Sequence, residues 1–181
     1  MKAWQRSLVA ACALLLLFGG TAYAQVSDTT PVEFSYTGNR TAVWIVAQLH
    51  TLFGAFILGA PIFVVISEWL GYRKQDLRYE RLAKEVTKVT VVLFSMTALT
   101  GGLFIFVLLS AYPQFTAWFI NQFHLVFAVI YPSLFISGTI VLYMYYYTWE
   151  TWKGEKKGRH IALGVLLILI GFLALVATTS A

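Results

Sequence analysis

The sequence predicts an all-α membrane protein, an up-down four-helix transmembrane bundle that follows a cleaved signal peptide. Its 181 residues are 59% hydrophobic and only 12% charged, a composition typical of membrane proteins. Four apolar spans lie at residues 42–72, 86–111, 122–147 and 160–179, and nearly all residues in these spans are uncharged. Each span reaches the roughly 20 residues that cross about 30 Å of hydrocarbon. Short polar connections between the spans predict antiparallel neighbours.

The first residues have the layout of a secretory signal peptide. Lys2 and Arg6 form a basic start, residues 8–20 form an apolar core, and Ala22-Tyr23-Ala24 is a small-x-small cleavage site. An uncleaved signal anchor is the alternative interpretation. We therefore expect three regions: a signal peptide at 1–24, a periplasmic N-terminal segment at 25–41 and a four-helix transmembrane domain at 42–181.

Cysteine usage limits the chemistry of the mature chain. The only cysteine, Cys12, lies in the predicted signal peptide and is lost with it. The mature chain then forms no disulfide, no iron–sulfur site and no covalent haem attachment. Any haem must be held non-covalently.

The basic residues predict the orientation of the spans. Six bases follow the first span, from Arg73 to Lys88, and four follow the third, from Lys153 to Arg159, whereas the opposite side has only Arg40. The positive-inside rule places both basic loops in the cytoplasm. We expect a multi-pass protein of the bacterial inner membrane with a periplasmic mature N-terminus, and the net charge of +5 then requires no nucleic-acid partner.

His50 is the first candidate site residue, because an imidazole within an apolar span needs a hydrogen-bonding partner, a proton path or a metal. Gly54 lies one turn further along, with Ala55, Gly59 and Ala60 after it. These small residues leave room for a flat macrocycle, and histidine is a common axial ligand of haem iron. Ordinary close packing of membrane helices explains the same small residues, so both interpretations stay open.

Two other histidines border apolar spans. His124 lies towards the outer face like His50, so that the two predict either one iron ligated from both sides or two separate haems. The alternative for His124 is an interfacial histidine bonded to water or to Gln122. His160 begins the fourth span among Lys156, Lys157 and Arg159, and we expect it to be solvated.

Glu68 is the only acid well within an apolar run. It lies five helical turns from His50, about 27 Å away, and therefore cannot share an iron with it. Glu68 is a candidate proton-path group, or it pairs with Lys88 or an inner-loop arginine. Arg40, just outside the first span, is placed either to bind a haem propionate or to snorkel at the helix end.

These residues resemble the N-terminal part of subunit I of the cytochrome bd-type quinol oxidases, without a gap from Arg40 to about Gly101. The positions shared at the family's spacings are Arg40, His50, Gly59, Glu68, Tyr79, Lys88 and Thr100-Gly101. The resemblance implies that His50 is an axial ligand of a haem near the outer face. It also implies that Arg40 and Lys88 belong to the same framework.

The chain departs from this family in three respects. Its third span, between Asn121 and Thr148, contains no acid, whereas the family has glutamates there that serve haem ligation and proton delivery. The family's subunit is more than twice as long, with its quinol-binding loop and later haem ligands in helices that have no counterpart here. The family also has no cleaved signal peptide. The chain thus resembles a split or reduced relative.

Three functional hypotheses follow. The first is a membrane subunit that binds one or two b haems in a bd-like electron-transfer complex, with His50 and His124 as axial ligands and Arg40 and Gly54 beside the haem. Other membrane subunits complete this complex, and quinol or a cytochrome is its redox partner. The second is one half of a split quinol oxidase that reduces oxygen, an oxidoreductase component inactive alone. The third is a structural or assembly subunit without haem.

Overall fold

The computed structural model describes residues 29–179, and regular structure there is entirely helical. We number the α-helices α1 Asn39–Lys74, α2 Leu77–Ala111, α3 Pro113–Gln122, α4 Tyr131–Thr148 and α5 Lys157–Thr179. A π-helical turn at Leu125–Ile130 precedes α4, and a 3₁₀ turn at Gly154–Lys156 precedes α5. Four of the helical segments described are long and apolar enough to cross a membrane, which confirms the four predicted spans. The predicted signal peptide lies outside the described residues.

A two-residue turn joins α1 and α2 into a long hairpin. Gln75 adopts a left-handed conformation, with φ 53°, and ends α1, while the Asp76 carboxylate accepts the Arg78 backbone N–H at 2.9 Å and caps α2. Gly71 allows the hairpin to close, because a Cβ there would lie 3.1 Å from the Glu80 nitrogen. The turn is so tight that α2 begins at Leu77, nine residues before the span predicted from hydropathy.

The segment between α2 and α4 contains a helix that the sequence analysis treated as a connection. Pro113 begins α3, and Thr116 donates its hydroxyl hydrogen to the Leu108 carbonyl at 3.1 Å, which holds α3 against the end of α2. The π turn then follows, with the Tyr131 N–H bonded to the Val126 carbonyl. Since Pro132 has no backbone N–H, a widened turn just before it replaces the regular α-helical ladder.

The second hairpin, α4 and α5, packs on the first. Gly164 marks the closest contact, because a Cβ there would lie 2.5 Å from Val65 on α1 and 2.9 Å from Tyr145 on α4. The rings of Phe94 and Phe135 stack between α2 and α4 at 5.2 Å. Along the first hairpin, Gly71 contacts Glu80 near the turn and His50 contacts Thr97 further from it. The up-down arrangement of the four helices across a membrane stays a prediction.

Many of the buried residues lie at one end of the bundle, near the turn that joins α1 to α2 and the connection that joins α4 to α5. We call this end the basic end. Val64, Ala83, Tyr145 and Trp149 form the apolar core there. Towards the other end, the described residues 39–59, 91–106, 121–140 and 165–179 include no buried residue. The buried residues of that end lie between Val107 and Ile120, where α3 packs on the end of α2. That half of the bundle therefore exposes most of its apolar side chains to its surroundings.

Candidate functional site

His50 lies between α1 and α2 in the loosely packed half of the bundle. Its Nδ1 is 3.1 Å from the Thr97 carbonyl oxygen and 3.4 Å from the Thr100 hydroxyl. A carbonyl only accepts hydrogen bonds, so Nδ1 carries a hydrogen, and in the neutral imidazole Nε2 then keeps its lone pair. No hydrogen bond to Nε2 occurs within the described residues. This is the tautomer that a histidine adopts when it binds a metal through Nε2.

Gly101 allows His50 to lie against α2. A Cβ at that position would be 2.8 Å from the His50 Cε1 and 3.2 Å from Nδ1, so a larger residue would displace the ring. Phe104, one turn further, stacks with the imidazole at a centroid distance of 6.3 Å. A backbone carbonyl, a glycine and an aromatic ring thus fix the orientation of His50, and all three belong to α2.

The two residues predicted beside the haem are both accessible. A Cβ on Gly54 would meet nothing within 4 Å, so the first turn after His50 is open, in keeping with the space that the sequence predicts. Arg40 is exposed and makes no ion pair within the described part of the chain. The geometry therefore leaves both interpretations of Arg40 open.

His124 is exposed, between α3 and the π turn. Its Nδ1 is 3.3 Å from the Asn121 carbonyl oxygen in the preceding turn, so its Nε2 is also free. No hydrogen bond or ring contact joins His124 to His50 among the described residues. The described residues contain no group of three or more His, Cys, Asp or Glu side chains that could hold a metal ion.

The basic end contains a buried charge cluster that the sequence analysis did not foresee. Glu68 is fully buried, with its Oε1 2.8 Å from the Lys157 ammonium and 2.6 Å from His160 Nδ1. Tyr145 donates its hydroxyl hydrogen to the other carboxylate oxygen. Lys157 also pairs with Glu80 on α2. We call these five residues, from all four long helices, the Glu68 cluster.

Two predictions about this region are wrong. His160 was expected to be solvated, but none of its surface is exposed, because Tyr145, Trp149 and Trp152 surround its ring. For Glu68, the alternative of pairing with Lys88 or an inner-loop arginine named the wrong partner, since Glu68 pairs with Lys157. Lys88 pairs with Glu85 on the surface of α2 at 2.7 Å.

A sequence signal for the Glu68 cluster does exist. Lys157 and His160 are three residues apart, which places them on one face of a helix. Helix α5 begins at Lys157, three residues before the fourth predicted span. The lysine therefore belongs to the helix and is buried in the bundle. Tyr145, near the end of the third apolar span, is also buried, with only 2% of its surface exposed.

Ion pairs outside the membrane-spanning segments link the two hairpins at the basic end. Glu150, just after α4, accepts a hydrogen bond from Lys153 at 2.5 Å and another from Lys84 of α2. The Lys153 ammonium, followed by that of Lys84, lowers the pKa of Glu150 to about 2. These side chains are exposed, so their pairing adds only modestly to stability.

The residues around His50 fit a haem by their own chemistry. Nδ1 is hydrogen-bonded to a backbone carbonyl and Nε2 is free, which is the arrangement expected of an axial ligand and its outer-shell partner. Gly54, one turn along the same helix, offers no side chain that would obstruct a macrocycle. His124 likewise has its Nδ1 near a backbone carbonyl, but no glycine lies one turn beyond it, and it is exposed whereas His50 is half-buried.

The fold and this site together define a helical membrane protein with a histidine held between two long apolar helices. Comparison with protein families shows which one it is. The sequence model of cytochrome bd terminal oxidase subunit I matches residues 39–181, and the chain belongs to that family. The match covers all four long helices and confirms the family resemblance found in the sequence. Comparison with curated proteins and with solved structures gave no match.

Proposed function

We propose that this chain is a haem-b-binding membrane subunit of a bd-type respiratory oxidase complex, with His50 as an axial ligand. The observation that carries the proposal is the state of the His50 ring. Its Nδ1 hydrogen is directed to the Thr97 carbonyl at 3.1 Å, so that Nε2 is the free nitrogen. Family membership supports the same assignment, since the family model includes this position.

Each neighbour has a role in this proposal. Thr97 fixes the tautomer of His50, Gly101 admits the ring, and Gly54 leaves space for the macrocycle on α1. Arg40 lies ten residues before His50, where its guanidinium is placed to pair with a propionate. The bound haem supplies one-electron redox chemistry, while the protein residues bind and orient it.

Partner subunits complete the complex in this proposal. Much of the apolar surface near His50 is exposed in the isolated chain, with Trp44, Leu52 and Leu99 each more than 60% exposed. Surfaces of this kind are covered by lipid or by other membrane helices. The third span, residues 122–147, contains no acid, so in this proposal a partner subunit supplies the carboxylates that the family has in that span.

The haem content of the purified chain and of any complex that co-purifies with it tests the proposal. A pyridine haemochrome assay should detect haem b, and His50→Ala should remove one haem's absorbance while the protein stays inserted. Alanine offers no lone pair to iron, whereas losing a polar group costs little in lipid. Gln48→Ala, an exposed position on the same helix, is the matched control.

His124→Ala then separates the two arrangements of ligands. Loss of the same haem as in His50→Ala means a bis-histidine iron without an open coordination site, hence an electron carrier. Loss of a different haem means two centres. An unchanged spectrum assigns His124 to the interface. A haem-free chain in a haem-free complex would contradict the proposal and favour a structural or assembly subunit.

A further inference from the structure

The Glu68 cluster brings four ionisable groups and a tyrosine into contact at the basic end of the bundle. We propose that it is a buried proton-binding site, in which the proton between Glu68 and His160 resides on His160. Lys157 and Glu80 connect this site to water. The proposal concerns the protein's own side chains, and it holds whether or not His50 binds haem.

Hydrogen bonding at His160 requires two protons. Its Nε2 is 2.9 Å from the Tyr145 carbonyl oxygen, which only accepts, so this nitrogen carries a hydrogen. Its Nδ1 is 2.6 Å from Glu68 Oε1, and this contact needs a second hydrogen between the two atoms. A neutral imidazole has one N–H, already used at Nε2. The second proton therefore lies either on Nδ1 or on the carboxyl group.

The surroundings of Glu68 place that proton on Nδ1. The Lys157 ammonium donates to Oε1 at 2.8 Å, and the Tyr145 hydroxyl donates to Oε2. Together with Nδ1–H these make three donors, and hydrogen bonds to a carboxylate favour its ionised form. A protonated carboxyl group would lose much of this stabilisation.

Charge balance leads to the same assignment. With the proton on His160, the cluster contains two cations, His160 and Lys157, and two anions, Glu68 and Glu80. Removing the proton would leave a net negative charge on a cluster in which Glu68, His160 and Lys157 are almost wholly buried. An uncompensated buried charge is strongly unfavourable, so the neutral quartet holds its proton.

The cluster has access to water from one side. An open groove of about 420 Å³ is lined by Gly71, Tyr72, Glu80, Lys153, Glu155 and Lys157, among others. Glu80 has 28% of its side chain exposed, compared with 4% for Lys157 and none for Glu68. Exposure thus falls stepwise from the groove to the buried pair.

The opposite side of the cluster is more tightly packed. Between Tyr145 and the middle of the bundle, the cavity lined by Thr87, Thr90 and Gly164 has a volume of only about 10 Å³. Both threonine hydroxyls donate to carbonyls of their own helix. The site therefore exchanges its proton with the basic end, and a continuous water path towards His50 is not present among these residues.

Nitrogen-15 NMR of the His160 ring tests the proposal. The chain has three histidines, so the full chain with His50→Gln and His124→Gln contains His160 alone and no candidate haem ligand. At pH 7 both ring nitrogens should show protonated shifts, each with a bound hydrogen. One unprotonated ring nitrogen in this protein would overturn the proposal, and this measurement needs no substitution within the cluster.

Glu68→Gln in the same background provides a second measurement. The glutamine amide donates to Nδ1, so the imidazole should become neutral and lose one ring proton. Glu85→Gln, which removes an acid from the surface of α2, should leave both ring protons in place. A doubly protonated His160 in Glu68→Gln would contradict the assignment of Glu68 as its counter-ion.

Discussion

Replacing Gly101 with alanine should displace His50 without unfolding the bundle. The new Cβ would lie 2.8 Å from Cε1, about 0.6 Å inside ordinary carbon–carbon contact. Because the clash is with the end of a side chain, the imidazole gives way and the backbone does not. A shift of that size lengthens the 3.1 Å contact with Thr97 beyond hydrogen-bonding range.

The expected magnitudes follow from the lost contact. A hydrogen bond such as that between His50 and Thr97 contributes about 0.5–1.5 kcal/mol to the free energy of unfolding. Replacing glycine by alanine within a helix stabilises it by roughly 0.5–1 kcal/mol. The free energy of unfolding of Gly101→Ala should therefore stay within about 1 kcal/mol of that of the unsubstituted chain. Loss of an outer-shell partner, in contrast, costs about 10–100-fold in metal-site affinity, so haem affinity should fall by that factor.

Gly102→Ala is the matched control. It lies beside Gly101 in the same helix, and its Cβ would meet nothing within 4 Å. Haem titration of the two purified variants, followed by absorbance, gives the comparison, with ring NMR of His50 in the haem-free chains as a second measurement. If both variants bind haem equally and His50 keeps its tautomer in both, the argument about Gly101 is refuted.

Three further predictions concern the basic end and the orientation of the chain. Glu68→Leu leaves Lys157 without its buried partner and should lower the free energy of unfolding by about 3–5 kcal/mol, whereas Glu85→Leu on the surface should change it little; equal effects would contradict the role of burial. The pKa of Glu150 is lowered from 4.5 to about 2, so its stabilisation is present above pH 4.5 and is lost as the pH falls towards 2. The difference in melting temperature between the original chain and Glu150→Gln should accordingly shrink between pH 5 and pH 2, and a constant difference would be evidence against this ion pair. Labelling of single cysteines should find Gln75→Cys accessible from the cytoplasm and Tyr36→Cys from the periplasm, and the reverse pattern would overturn the predicted topology.

The class of protein could be predicted from the sequence alone. Long apolar spans separated by polar connections are sufficient to predict four membrane helices, because crossing hydrocarbon imposes both length and composition. The spacing of Arg40, His50, Gly59 and Glu68 was sufficient to predict the family. Hydropathy located the ends of the helices less well, since α2 and α5 begin in polar residues that only the turn geometry assigns to a helix.

Which polar side chains contact one another depends on how the helices pack, and this could not be predicted from the sequence. Glu68 and His160 are 92 residues apart, and nothing in the local sequence of either residue specifies the other. Lys157 and His160 look like solvated residues because they stand among other bases. They are buried because α1, α2 and α4 pack around the start of α5. Similarly, Thr97 and Gly101 fix His50 through contact between two helices. A hydropathy pattern records how each residue partitions into lipid, whereas pairing of charges depends on which helix faces are brought together.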